Sequence, residues 1–151
     1  MSETQITTIF IGTDHAGFEL KEAIKAHLES SGYEVEDLGA HWFDAEDDYP
    51  DFIRPVAEAV AKDTSSRGII MGGSGQGEAI CANRVKGIRA VVYYGGAEEI
   101  VRLSRSHNNA NILSFGARFI SEEQALTVLD LWLSLPFEGD RHKSRIDKLD
   151  E

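Results

Sequence analysis

The stretch Gly72-Gly73-Ser74-Gly75-Gln76-Gly77-Glu78 narrows the possible folds more than any other part of the chain. It follows Gly68-Ile69-Ile70-Met71, an apolar run that reads as a buried strand. It precedes Ala79-Ile80-Cys81-Ala82-Asn83-Arg84, which reads as the start of a helix. Glycine has no side chain to obstruct a ligand, so such a loop brings backbone N–H groups close to one. The helix N-terminus adds a partial positive charge. The loop can therefore hold a phosphate or stabilise an oxyanion. A carboxylate beside an oxyanion site is what carbon-acid chemistry requires, and Glu78 supplies one. The glycines also read as a plain tight turn, with Glu78 as a helix-terminal carboxylate. A dinucleotide fingerprint fits poorly, because Glu78 stands where its third glycine belongs, and the Gly-Lys-Ser/Thr end of a Walker A loop is missing.

Strand and helix signals alternate along the rest of the chain. Strands are expected at 7–12, 33–38, 69–71, 88–94 and 112–115. Helices are expected at 18–31, 49–63, 78–85, 97–106, 121–133 and 142–149, and Ser121-Glu122-Glu123-Gln124 looks like a capping box. Alternation with short connections implies a parallel sheet covered on both faces, with ligands beyond the C-terminal ends of the strands. Asp14 and His15, the glycine loop, and Gly116-Ala117-Arg118 all follow expected strands.

The length, 151 residues, suits one domain. A net charge of −11 argues against non-specific binding to nucleic acid or anionic membranes. No apolar run approaches the roughly 18 residues of a membrane helix. The single cysteine, Cys81, cannot form an internal disulfide, and Met1-Ser2-Glu3-Thr4-Gln5 lacks the basic start of a signal peptide. A cytoplasmic setting fits both.

Three further groups carry polar signals. Asp14-His15-Ala16-Gly17 reads as a helix cap with a surface histidine, or as a substrate contact at a strand end. Ser106-His107-Asn108-Asn109-Ala110-Asn111 reads as a helix C-terminus, where asparagine takes left-handed conformations; alternatively, His107 moves a proton near neutral pH. Arg141 and Arg145 in Asp140-Arg141-His142-Lys143-Ser144-Arg145 are four apart and share a helix face. Two such guanidiniums repel unless an anion such as phosphate joins them; otherwise the segment is a solvated surface helix.

Together these residues resemble the family of ribose-5-phosphate isomerase type B and the galactose-6-phosphate isomerase subunits. The resemblance runs from about residue 9 to about residue 149. It rests on Gly12-Thr13-Asp14-His15-Ala16-Gly17, Asp48-Tyr49-Pro50, the glycine loop with Glu78, Ala82-Asn83-Arg84, Gly87-Ile88-Arg89-Ala90, His107-Asn108-Asn109-Ala110-Asn111, Phe115-Gly116-Ala117-Arg118 and Arg141-His142-Lys143-Ser144-Arg145, in this order. It implies a three-layer α/β/α Rossmann-like fold with a five-stranded parallel sheet, formed by residues 1–151, with 139–151 as a phosphate-binding helical segment. It also implies a homodimer or dimer of dimers with active sites shared between subunits. One branch of the family uses a cysteine as base; Gly72 stands at that place here. The other branch uses a glutamate, and Glu78 fills its position.

By the same resemblance, Asp14 and His15 contact the sugar. Gly73, Ser74, Gly75, Gln76 and Gly77 bind the enediolate oxygens through backbone N–H groups. His107 opens the furanose ring, Asn108 binds substrate, and Arg118, Arg141 and Arg145 bind the phosphate. The implied reaction interconverts ribose 5-phosphate and ribulose 5-phosphate, and no step needs a metal or a cofactor. Isomerisation of a tetrose 4-phosphate or hexose 6-phosphate, or a non-catalytic sugar-phosphate sensor, are the alternatives.

Overall fold

A computed structural model describes residues 5–151, so the reading of residues 1–4 as lacking a signal peptide lies outside the described residues. The strands are β1 (Ile9–Thr13), β2 (Val35–Asp37), β3 (Arg67–Gly72), β4 (Ala90–Tyr93) and β5 (Ile112–Gly116). They form one sheet in the order β2-β1-β3-β5-β4, and every pairing is parallel. The helices are α1 (Phe18–Ser30), α2 (Pro50–Lys62), α3 (Gln76–Asn83), α4 (Glu98–Ser106), α5 (Glu122–Ser134) and α6 (Arg141–Ile146). No helix among the described residues is long and apolar enough to cross a membrane.

Period-two alternation along the central strands feeds two cores. Ile69, Met71 and Leu113 point into one, with Ile24, Val101, Leu129 and Trp132 from α1, α4 and α5. Ile70 and Ile112 point into the other, with Ile53, Val56, Cys81 and Ala82 from α2 and α3. This is the expected three-layer α/β/α Rossmann-like arrangement of a five-stranded parallel sheet. Burial on both faces explains why β3 reads as an unbroken apolar run.

Several boundaries differ from expectation. β4 starts at Ala90 because Arg89 N–H donates to the Asn111 side chain instead of a strand neighbour. α6 ends at Ile146 because Lys148 and Leu149 close tight turns onto Arg145 and Ile146. A short 3₁₀ turn, His15–Gly17, precedes α1, and Asp14 caps it. The Ser121–Gln124 capping box forms as expected.

The chain leaves β1 toward β2 on one side, then crosses to β3 on the other. The direction reverses between β1 and β3, which opens a crevice at their C-terminal ends. Thr13 Oγ1 donates to Met71 O across this point at 2.9 Å. The loop after β2 is tied to the same end: Thr13 N donates to Gly39 O, and Ala40 N to Thr13 O, both at 2.8 Å.

A buried ion pair anchors that loop. Lys21 of α1 is fully buried and donates to both oxygens of Asp37, at 2.8 and 2.6 Å, while Asp37 Oδ1 also accepts from Gly39 N–H. Burial alone would raise the Asp37 pKa, but the bonds from Lys21 and Gly39 outweigh it and hold the carboxyl below its ordinary value. Lys21→Ala should destabilise the fold by about 3 kcal/mol, because it removes the ammonium that bonds both Asp37 oxygens and leaves only Gly39 N–H and Lys25, at 3.5 Å. The pair's contribution should be present above the unfolded carboxylate pKa and fade as pH falls through the lower folded value. Urea unfolding at several pH values tests both statements.

Candidate active site

Three strand ends build the first cluster. Asp14 and His15 follow β1, the glycine loop follows β3, and Arg118 follows β5. Glu78 is the third residue of α3 and only 4% exposed. Its carboxylate lies over the α-carbon of Gly72, so that any side chain at position 72 would overlap it. One group alone can occupy this space. Burial pushes the Glu78 pKa up, and the nearby Asp14 charge adds to the rise.

The other glycines clear space for their own neighbours. Gly75 caps α3 at φ +78° and lies against the Phe115 carbonyl; a Cβ on Gly77 would meet Tyr49 Oη at 2.8 Å. The Arg118 guanidinium covers Gly73. Gln76 N–H is already donated to Ser74 Oγ, at 3.2 Å. Among the described residues, the N–H groups of Gly73, Ser74 and Gly75 donate to no other group of the chain. A buried carboxylate beside free N–H donors can take a proton from carbon and stabilise the resulting oxyanion.

Asp14 caps the 3₁₀ turn through Ala16 N–H at 3.0 Å, as the cap reading expects. Burial raises its pKa, and the Asp47 charge raises it further. His15 Nδ1 lies 2.7 Å from Asp47 Oδ1. Cys81 packs into the core between α2, α3 and the sheet, with its thiol pKa raised by burial.

A second cluster lies elsewhere. His107 caps the C-terminus of α4, just before β5 begins, and its ring stacks on His142 with centroids 4.1 Å apart. Glu138 lies 3.8 Å from His107 and 3.7 Å from His142. Burial lowers the His142 pKa, and His107 and the arginines 141 and 145 lower it further. Arg141 and Arg145 project from α6, exposed and one turn apart, and no ion pair among the described residues involves either. Asn108 is exposed beside His107, and Asn109 takes the left-handed conformation at φ 49°.

The two clusters occupy opposite ends of the sheet. Glu78 sits at the C-terminal end of β3, and His107 at the N-terminal end of β5, its parallel neighbour. Five residues of strand separate them, roughly 13–16 Å. Within one chain, Asp14, His15, Glu78, Arg118 and the glycine loop come together. His107, Asn108, Arg141 and Arg145 form a separate group.

Among the described residues, two trios have metal-ligand chemistry: Asp14, His15 and Asp47, and His107, Glu138 and His142. In the first, a hydrogen bond already joins His15 to Asp47. In the second, both histidine Nε2 atoms face the same Glu138 oxygen, at 3.8 and 3.7 Å. The sequence reading missed Asp47, Glu138 and His142, and it gave Tyr49 no role. A cavity of about 680 Å³ at the N-terminal ends of the strands, lined by Ile6, Arg89 and Asn111 among others, contains none of the expected site residues.

Residues 9–149 match the model of the ribose/galactose isomerase family. The chain is 44% identical to ribose-5-phosphate isomerase B of Mycolicibacterium paratuberculosis, over 95% of this chain and 89% of the relative. The crystal structure of ribose-5-phosphate isomerase B from Mycoplasma genitalium with bound ribulose-5-phosphate superposes with a TM-score of 0.90. It is 42% identical and covers 94% of this chain and 93% of its own. The Clostridium thermocellum ribose-5-phosphate isomerase B gives a TM-score of 0.89 at 45% identity, with 95% of each chain covered. With the strand order and these likenesses in agreement, the chain belongs to the ribose/galactose isomerase family.

Proposed function

We propose that this chain interconverts ribose 5-phosphate and ribulose 5-phosphate through a cis-enediolate, with Glu78 as the base. The observation that carries the reading is the buried Glu78 carboxylate over Gly72, beside the free N–H groups of Gly73, Ser74 and Gly75. The ribulose-5-phosphate bound to the Mycoplasma genitalium relative supports the substrate.

His107 opens the furanose by moving a proton between the ring oxygen and the anomeric hydroxyl, which exposes the C1 aldehyde. Glu78 removes the proton from C2, and the electron pair moves onto the carbonyl oxygen. The loop N–H groups stabilise that charge, and losing one such donor typically costs about 3–4 kcal/mol. The C2 hydroxyl proton shifts to the C1 oxygen within the cis-enediolate, and the protonated Glu78 delivers its proton to C1 as the C2 carbonyl forms, giving the ketose. A carboxylate pKa raised by burial suits both halves of this transfer. Asp14, His15 and Asn108 hold the sugar hydroxyls.

His107 and Glu78 must act within a few ångströms of each other, yet they lie at opposite ends of one sheet. A second copy supplies the missing half, so the working form is a homodimer or dimer of dimers with shared sites. Exposed Ile80, Tyr94, Ile100 and Phe119 offer apolar surface for such contact. In this reading, segment 139–151 carries Arg141 and Arg145 to the partner's sugar phosphate, opposite Arg118.

Arg141→Ala or Arg145→Ala should raise KM about tenfold to a hundredfold, the loss of one charged hydrogen-bonding partner. Free ribose should turn over poorly, and inorganic phosphate should compete. Steady-state rates across four-, five- and six-carbon aldose phosphates, with and without these substitutions, provide the test. A higher kcat/KM for a tetrose or hexose phosphate would overturn the substrate. Unchanged KM in both variants would remove the phosphate site.

A further inference from the structure

Asp47 belongs to the acidic stretch Asp44-Ala45-Glu46-Asp47-Asp48, where its neighbours are exposed. Its own side chain is only 8% exposed. Asp47 N–H donates to Asp44 O, a turn that folds the residue inward. Its Oδ1 accepts twice from His15, from the backbone N–H at 3.1 Å and at Nδ1 at 2.7 Å. Its Oδ2 is buried and has no hydrogen-bond partner among the described residues. The carboxylate is thus committed to a single residue, which it grips by both backbone and ring.

We propose that Asp47 is a positioning residue for the isomerase, one that holds the His15 ring by Nδ1–H and so presents Nε2 to the sugar phosphate. The proposal rests on the reading that His15 contacts the substrate. A histidine ring left to itself favours the Nε2–H tautomer when neutral; an acceptor at Nδ1 reverses that choice. The ring is also steered by Phe43, which meets it edge-on at 6.2 Å. The charged groups around His15 are Asp47 from the loop before α2, Asp14 from its own loop and Arg118 from beyond β5. The hydrogen bond to Asp47 and the Asp14 charge raise the His15 pKa, against burial and Arg118. Below that raised value the ring is a cation, and Nε2–H donates to a substrate oxygen. As pH rises through it, the donor is lost and KM should climb.

Nitrogen-15 NMR of the His15 ring in wild type, Asp47→Asn and Asp47→Ala tests this, together with KM against pH for ribose 5-phosphate. Asparagine still accepts at Nδ1 but carries no charge. Asp47→Asn should therefore keep the tautomer, lower the His15 midpoint toward the ordinary value of about 6.5, and move the climb in KM to lower pH. Asp47→Ala should also switch the neutral ring to Nε2–H. An unchanged midpoint and tautomer in both variants would overturn the proposal. So would a shifted midpoint with an unmoved KM profile, provided His15→Ala raises KM. If His15→Ala itself leaves KM unchanged, the sugar contact fails instead, and the positioning role fails with it. In a His15→Ala background, Asp47→Asn should have no further effect on KM.

Discussion

Glu78→Gln is expected to lower isomerisation by about two to four powers of ten, the range a positioned general base contributes. KM for ribose 5-phosphate should change little, since glutamine keeps the shape of the side chain. The substitution leaves the glycine loop and its free N–H groups in place, so the loss isolates proton transfer from oxyanion stabilisation. Cys81→Ser should be nearly silent, because the thiol faces the α2–α3 core. Activity of Glu78→Gln within tenfold of wild type would remove Glu78 as the base.

The same variant has a thermodynamic signature of opposite sign. Burial holds the folded Glu78 pKa above its unfolded value, so the folded protein binds more protons than the unfolded chain between the two. Wild-type stability therefore falls as pH rises through that window. Glutamine carries no charge to desolvate. Glu78→Gln should unfold at a higher temperature than wild type above the window, and the gap should close below the unfolded carboxylate pKa. A gain in stability paired with a loss of turnover is what a desolvated carboxylate acting as the proposed base predicts.

Much of the architecture was legible in the sequence because local and global signals agree. Ile69-Ile70-Met71 is apolar on both faces, which only a covered parallel strand explains, and Gly75 sits where the helix cap needs a positive φ. The reason for Gly72 was not legible. Its missing side chain clears space for the Glu78 carboxylate, a contact made only when α3 folds back over the strand end. Asp47 was hidden for a different reason. Acidic neighbours make 44–48 read as solvated surface, and only the turn onto Asp44 O buries this one carboxylate. His142 and Glu138 were masked by the arginines beside them, and the stacking on His107 depends on how α6 docks. The separation of Glu78 from His107 follows from β3 and β5 being parallel neighbours, a pairing that spacing along the chain does not reveal.

That separation leads to the second large effect. Glu78→Gln and His107→Ala should each be nearly inactive on ribose 5-phosphate as homodimers. In a mixed dimer, one site joins the intact Glu78 of one subunit to the intact His107 of the other, while the second site has neither. Random reassociation of equal amounts makes half the dimers mixed, so about a quarter of wild-type activity should return, as two-fold symmetry requires. The regain should grow with the rate of subunit exchange and vanish when each variant is crosslinked to itself before mixing. An open-chain tetrose phosphate, which needs no ring opening, should lose far less activity in His107→Ala than ribose 5-phosphate does. Glu78→Gln should be equally damaged on both. If mixing restores nothing although mass measurements detect the mixed dimer, Glu78 and His107 do not meet across subunits. Full wild-type activity in a strictly monomeric solution would lead to the same conclusion.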